Sequence, residues 1–412
     1  MKILYLVHQF YPDWYTGTEK FVFQLAAMMQ KAGHQVKVIS YSFYDAGEYD
    51  QVLKDIRLKE SMYNGVPVLN IKHKQVPVDI NYALTNKALS KIAKRIISQE
   101  KPDVVHVGHS MRVTEFVRSL WALRIPYIVT LTDFFLICPK YLLITSQNTL
   151  CNGPEKGQIC AKLCPEFTGA IISERLRVAR EILFKASRVV APSQFLASMF
   201  QKEFPDLMLS LSGYGLQYGL TKRNERTYDS QSKLTFCYAG SLNTHKGVHI
   251  LIRAFQQVNS NQATLKIYGS SHKQAYINKL MNMSDSDNRI EFCGVYDNES
   301  VGEILSQVDV IITPSLWYEN TPIILREATV CNVPAIASNV GGIVENIEDG
   351  VNGFLANMGD AHHLATIMQS IVDNPTILND MKKHIASQII PSVEQEAYTY
   401  QGFYTQAINA HS

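Results

Sequence analysis

The chain has 412 residues, of which 46% are hydrophobic and 18% charged, and its formal net charge is +2. That length fits about two or three domains, and the composition excludes a disordered chain, a collagen-like fibre and a disulfide-dense miniprotein. Charge so near neutrality gives no sign of nucleic-acid binding, and no nucleic acid is expected as a partner.

No apolar run approaches the ~20 residues a transmembrane helix needs. Ile3–Val7 is apolar and turns polar at His8 and Gln9. It is too short for the ~7–15-residue core of a secretory signal. It reads as a buried strand, and a cytoplasmic location with reduced cysteines is expected. Lys20–Lys31 carries Phe21, Leu25, Met28 and Met29 at helical spacing, and Gly33 suits the C-terminal cap. Val36–Ser40, Val104–Val107 and Tyr127–Leu131 read as strands, with helices over Lys87–Gln99 and Val113–Leu120. Arg188–Ala191 closes this half, and Pro192-Ser193 opens another helix.

Residues 209–232 are polar and rich in turn formers, and read as a linker. The pattern then restarts. Strands are expected at Leu234–Ala239, Thr264–Tyr268, Ile290–Phe292, Val310–Ile312 and Ala335–Ala337. Helices are expected at Val248–Val258, Ala275–Met281, Val301–Gln307 and Pro322–Val330. Alternating strands and helices predict an α/β chain with parallel, doubly wound sheets, and the break near the middle predicts two such domains. Ligands in such folds sit at the carboxyl ends of strands, so two facing domains would make a cleft.

Charge is uneven: residues 1–215 carry +8 and the remainder −6. A basic first half could face an anionic acceptor or an acidic membrane surface, the plain alternative being a solvated basic face.

The most informative stretch is Pro314-Ser315-Leu316-Trp317-Tyr318-Glu319-Asn320-Thr321-Pro322-Ile323-Ile324-Leu325-Arg326-Glu327-Ala328. It follows a strand. Thr321 is expected as N-cap and Pro322 as the first helical residue. The capping-box position holds Ile324, so no carboxylate from there would occupy the first-turn amides. Those amides could receive an anion or a polar ligand. Glu327 would lie about 8 Å along the axis from the helix start, so Glu319 and Glu327 could reach different parts of one extended ligand.

This string resembles the Glu-x7-Glu signature of glycosyltransferase family 4, retaining enzymes of GT-B fold. Tyr238-Ala239-Gly240-Ser241 with Lys246-Gly247, Ile267-Tyr268-Gly269, Phe292-Cys293-Gly294-Val295, Gly341-Gly342-Ile343 and Asp349-Gly350 resemble further family segments in the same order, and Gly17-Thr18-Glu19-Lys20 stands where the family has a glycine-rich "GG-x-E". The resemblance implies two Rossmann-like domains facing a cleft. Residues 1–213 would form the acceptor-side domain, 214–233 the linker, 234–388 the nucleotide-sugar-binding domain, and 389–412 a last helix returning to the first domain. It implies a nucleotide-sugar donor, a UDP-sugar foremost, and a glycan or lipid-linked acceptor, with peripheral membrane contact through the basic domain at the inner membrane face. No catalytic metal is expected.

In that picture Lys246 would neutralise the donor diphosphate, and Glu327 would bind the nucleotide ribose. Amides at Asn320, Thr321 and Pro322 would hold the donor sugar, with Glu319 on its hydroxyls or reacting face. Val295 would contact the base, Gly240 and Ser241 would flank the diphosphate, and Gly17 and Thr18 would approach the donor. Two positions depart from the pattern. Ser241 replaces the usual Arg, and Thr132 replaces the family's His before Asp133-Phe134-Phe135. Asp133 or His109 would then supply the missing contact. A degenerate, non-catalytic binding subunit is the alternative reading; a nicotinamide-dependent oxidoreductase is disfavoured, because no G-x-G-x-x-G follows the first strand.

Cys138, Cys151, Cys160 and Cys164 follow as C-x12-C-x8-C-x3-C in an insertion spanning 138–164. Four clustered thiols in a reducing compartment point to structural zinc, with free thiols or disulfides as alternatives. Cys237, Cys293 and Cys331 read as core residues.

Overall fold

The computed structural model describes residues 1–411 apart from 15, 218–221 and 272. The chain divides into two units, Met1–Tyr214 with Val393–Ser412, and Gly215–Ser392. Among the described residues no helix is long and apolar enough to cross a membrane.

The first unit is built on a nine-stranded sheet. Its strands are β1 (Lys2–Val7), β2 (Gln35–Tyr41), β3 (Gln51–Leu53), β4 (Ile56–Tyr63), β5 (Val66–His73), β6 (Val104–Val107), β7 (Tyr127–Thr130), β8 (Arg188–Ala191) and β9 (Ser210–Leu211). They lie in the order β3-β4-β5-β2-β1-β6-β7-β8-β9. β3, β4 and β5 pair antiparallel, and the remaining pairs are parallel. β6 and β7 are buried at every position, as covering helices on both faces require. The antiparallel ribbon and the 16-residue helix Gly169–Phe184 lie outside the expected elements. Ile56–Tyr63, next to the edge strand β3, alternates in burial, a weaker signal than a continuous apolar run.

The second unit holds a six-stranded, wholly parallel sheet. Its strands are β10 (Leu234–Ala239), β11 (Ala263–Tyr268), β12 (Ile290–Gly294), β13 (Val310–Thr313), β14 (Ala335–Ser338) and β15 (Gly353–Ala356), ordered β12-β11-β10-β13-β14-β15. In both sheets the order turns back beside the first strand of the unit, β1 or β10. The connections leaving the two strands there run in opposite directions, which opens a crevice for ligands at their carboxyl ends. Residues 222–228, expected within the linker, are fastened to this unit. Asn224 donates to the Val308 carbonyl (2.7 Å), and Arg226 pairs with Asp309 (2.9 Å).

The helix Val393–Asn409 belongs to the first unit, and a buried hydrogen-bond chain holds it there. Burial pushes the His106 imidazole down to about 3, so it is neutral and has one donor and one acceptor. Tyr404 donates to the Tyr5 hydroxyl (3.3 Å), so its oxygen accepts from His106 Nδ1 (2.7 Å). Nε2 then accepts from Thr130 (2.8 Å), whose oxygen accepts from Tyr400 (2.8 Å). Every donor in the series points one way.

Tyr404→Phe interrupts this series and strands the buried His106 N–H. A loss of about 1–3 kcal/mol is expected, against about 1 kcal/mol for Tyr400→Phe, which removes only the terminal donor. Urea unfolding of the two variants checks the ranking.

Candidate functional site

In the second unit, β13 delivers the chain to loop 314–322, which is held from both sides. Leu316 N–H donates to the His245 carbonyl (2.7 Å), and Gly342 N–H donates to the Glu319 carbonyl (2.7 Å). Gly247 has a φ of +74°, and a Cβ there would lie 1.9 Å from the Pro314 oxygen. A Cβ on Gly342 would lie 1.7 Å from the Asn320 oxygen. Neither position can carry a side chain with the loop in place.

The clamped loop buries Glu319. Its Oε1 accepts from Lys246 Nζ (2.6 Å), Ser315 Oγ (2.8 Å) and Trp317 Nε1 (2.8 Å). Burial pushes this carboxyl up, but the Lys246 ammonium and the two neutral donors more than reverse that, leaving it below its ordinary range. The Lys246 head also lies 5.1 Å from the centre of the Trp317 ring. Burial, then the Lys246 charge, pushes the neighbouring His245 down to about 4, so it is neutral. Lys246 therefore provides the cationic group of this loop, with a carboxylate already aligned behind it.

The helix after the loop is Ile323–Val330, with Pro322 as N-cap at φ −62°, ψ 116°. This corrects the expected Thr321 cap and helical Pro322: the clamp keeps the backbone extended one residue further. Pro322, the N-cap residue, makes no side-chain capping bond. Asn320, Thr321, Pro322 and Glu327 are thus brought to one helix start. Gly240 and Ser241 lie at the end of β10, where the Tyr238 hydroxyl donates to the Ser241 carbonyl (2.7 Å). Val295 follows β12 and is 61% exposed. Next to it is Tyr296, which sequence reasoning did not single out. Burial and then the Glu327 carboxylate push its phenol up, and its ring meets Tyr268 edge-on at 6.0 Å.

The first unit gathers a second polar cluster at the ends of β1, β6 and β7. Met111 N–H donates to His109 Nδ1 (3.2 Å), so the ring proton is on Nε2, which donates to Asp133 Oδ2 (2.9 Å). Phe135 N–H donates to Asp133 Oδ1 (2.7 Å). The His109 side chain is 3% exposed and that of Asp133 21%. Of the two residues expected to supply the contact missing at Thr132, His109 therefore holds Asp133, and Asp133 is the one that meets solvent. Thr132, in place of the family's His, turns its hydroxyl to the Gly108 carbonyl (3.1 Å). The His8 ring lies against that of His109, with centres 4.0 Å apart and planes tilted by 34°. Behind it Glu19, fully buried, accepts from Thr16 N–H (2.8 Å) and Thr16 Oγ1 (2.5 Å). Burial raises its carboxyl and holds His8 neutral. Gly17 and Thr18 form the first turn of the helix Gly17–Lys31, which starts three residues before the expected Lys20.

The four insertion cysteines are buried and line one small cavity in the first unit. All seven cysteines are unbridged. Burial, then the neighbouring thiols, pushes Cys160 up to about 12. Burial likewise pushes Cys138 up to about 11. Among the described residues no three His, Cys, Asp or Glu side chains stand as a metal-ligand set. The four thiols share this cavity, and Cys160 lies within electrostatic reach of the other three. Cys237 and Cys331 are core residues, whereas Cys293 is only half-buried.

Two outcomes follow from the clamp. Gly342→Ala must displace the Asn320 carbonyl, and a loss of about 1–3 kcal/mol is expected by denaturant unfolding. Glu319, with its carboxyl lowered by folding, contributes stability that is full above about pH 4.5 and is lost as pH falls through its lower folded value. Lys246→Met removes the opposing charge and leaves the desolvation of the buried carboxylate balanced only by Ser315 and Trp317. The variant is expected to lose about 3 kcal/mol at neutral pH, and the deficit should shrink on acidification toward pH 5. Unfolding curves across that range check it.

The similarities to known proteins agree with this geometry. Residues 15–206 match the family model Glycosyltransferase Family 4, and residues 222–388 match Glycosyl transferases group 1. The chain is 22% identical over 434 aligned positions to an uncharacterized glycosyltransferase of Methanocaldococcus jannaschii, covering 100% of this chain and 98% of that one. It is 24% identical over 226 residues to the lipopolysaccharide 1,2-N-acetylglucosaminetransferase of Salmonella typhimurium. That match takes in 51% of this chain and 56% of the relative, so the chain spans little more than half the length of this relative. The Anabaena protein HepE, solved in complex with UDP and glucose, has a TM-score of 0.68 at 19% identity, covering 98% of each chain. Its fold is thus the GT-B fold, with two Rossmann-like domains, and the chain belongs to the family 4, group 1 type of glycosyltransferases.

Proposed function

We propose that the chain is a retaining glycosyltransferase that moves a sugar from a UDP-sugar to a glycan or lipid-linked acceptor. The observation that carries this is the Lys246–Glu319 pair, fixed at the carboxyl ends of β10 and β13 beside the start of the helix Ile323–Val330. A nucleotide diphosphate needs a cation where charge develops as it leaves, and Lys246 is such a group. The UDP held by the Anabaena relative supports the same donor class.

In this scheme Glu327 and Tyr296 take the nucleoside end, and the amides that open Ile323–Val330 take the donor sugar. Glu319 acts through Lys246: its Oε1 is filled by three donors, so it positions the cation rather than binding sugar through that oxygen. The anomeric carbon loses its bond to the diphosphate oxygen and gains one to the acceptor oxygen on the same face. The acceptor proton passes to the departing diphosphate, with Asp133 orienting the hydroxyl. The transition state is oxocarbenium-like.

A thermal-shift series with UDP, GDP and ADP, followed by turnover of the matching sugar conjugates, tests the reading. UDP is expected to raise the midpoint with concentration, and Lys246→Ala to reduce that rise and cut kcat by about 10²–10³. Nucleotide binding without turnover on any acceptor would favour the degenerate binding subunit, which the Thr132 hydroxyl turned to the Gly108 carbonyl also fits. Absence of binding by all three nucleotides would overturn both.

A further inference from the structure

Arg112 precedes the helix Thr114–Leu123 with a φ of +65°. For a residue with a Cβ this left-handed conformation costs about 1–2 kcal/mol. A glycine would avoid that cost, so the side chain has to account for it, and strain of this kind collects at functional sites. The guanidinium is aimed by four hydrogen bonds to three neutral acceptors. Nε and Nη2 donate to Asn81 Oδ1 (3.0 and 2.7 Å), and Nη1 donates to the His8 carbonyl (3.2 Å) and Gln9 Oε1 (3.5 Å). These orient the cation without neutralising it.

The groups around it are those that recognise sugars. The Phe43 ring centre lies 4.9 Å from Arg112 Cζ, and Phe43 is 41% exposed. Tyr141 is also 41% exposed, and it too is left-handed, with a φ of +51°. Its phenol lies within the electrostatic reach of both Asp133 and Arg112. Asp133 is fixed by His109 and by the Phe135 amide, leaving its outer side to solvent. A cation, an oriented carboxylate and two half-open aromatic faces therefore share one surface of the first unit.

We propose that Arg112, Asp133, Phe43 and Tyr141 form an acceptor subsite for a sugar that bears a negative charge, a carboxylate or a phosphate. The assignment to the acceptor rests on the transferase reading above. The anion sits on Arg112, a hydroxyl on Asp133, and an apolar sugar face on an exposed ring. Arg112 carries the selectivity, because a planar fork matches both carboxylate and phosphate.

The test uses the full chain at low salt and three probes: methyl glucuronide, glucose 6-phosphate and methyl glucoside. Affinities are measured by calorimetry or ligand-observed NMR, with UDP as a fourth ligand. One or both charged probes should bind about ten-fold tighter than the neutral glucoside, and whichever does so identifies carboxylate or phosphate. Arg112→Gln should abolish that difference and leave UDP affinity unchanged, which also shows that the variant is folded. Arg112→Lys should retain part of the difference, and Tyr141→Ala should weaken all three sugars alike. Equal affinities for charged and neutral probes in the native chain would overturn the subsite while UDP binding still upheld the transferase reading. A fall in UDP affinity in Arg112→Gln as large as the fall for the sugar anion would overturn it too, placing Arg112 on the donor diphosphate. Discrimination between the probes without nucleotide binding would uphold the subsite and overturn the transferase reading.

Discussion

The second unit depends on one buried carboxylate. Glu319 cannot stay ionised in the interior without compensation, since the desolvation of a lone buried charge outweighs most single contacts. Lys246, Ser315 and Trp317 supply that compensation on one oxygen. Each donor needs the loop in one conformation, so satisfying the charge also fixes loop 314–322. The loop in turn fixes where the helix Ile323–Val330 begins, and hence where its amides and Glu327 stand.

The glycines are the other half of the same constraint. Gly247 and Gly342 approach the loop backbone within distances that no Cβ allows. Tight apposition excludes water from the Glu319 site and strengthens the ion pair. A cation held this way is aligned before a diphosphate arrives, so little reorganisation is left for the reacting step.

The first unit uses a different economy of donors and acceptors. The chain from Tyr400 to Tyr5 binds the last helix to the first sheet through neutral groups, each used in one direction. At the strand ends nearby, the same accounting makes His109 a holder of Asp133. A titratable residue near a strand end gains a role only when its second nitrogen is accounted for. Here the Met111 amide decides it.

The α/β class, two domains, most of the core strands and the loop of Glu319 and Glu327 were legible in the sequence. Buried parallel strands are short continuous apolar runs, and strand–loop–helix order puts residues such as Lys246 and Glu319 at sheet edges. The strand β4 and the helix Gly169–Phe184 were not, because their apolar positions alternate with polar ones or cover only part of a face. Tertiary structure decided the rest. It paired Lys246 with Glu319 across 73 residues and moved the helix cap from Thr321 to Pro322. It also placed Arg112 beside Phe43 and near Tyr141. Composition and period report on which face is buried. Which charges meet depends on contacts between residues far apart in the chain, and on left-handed backbone at Arg112 and Tyr141 that no local pattern announces.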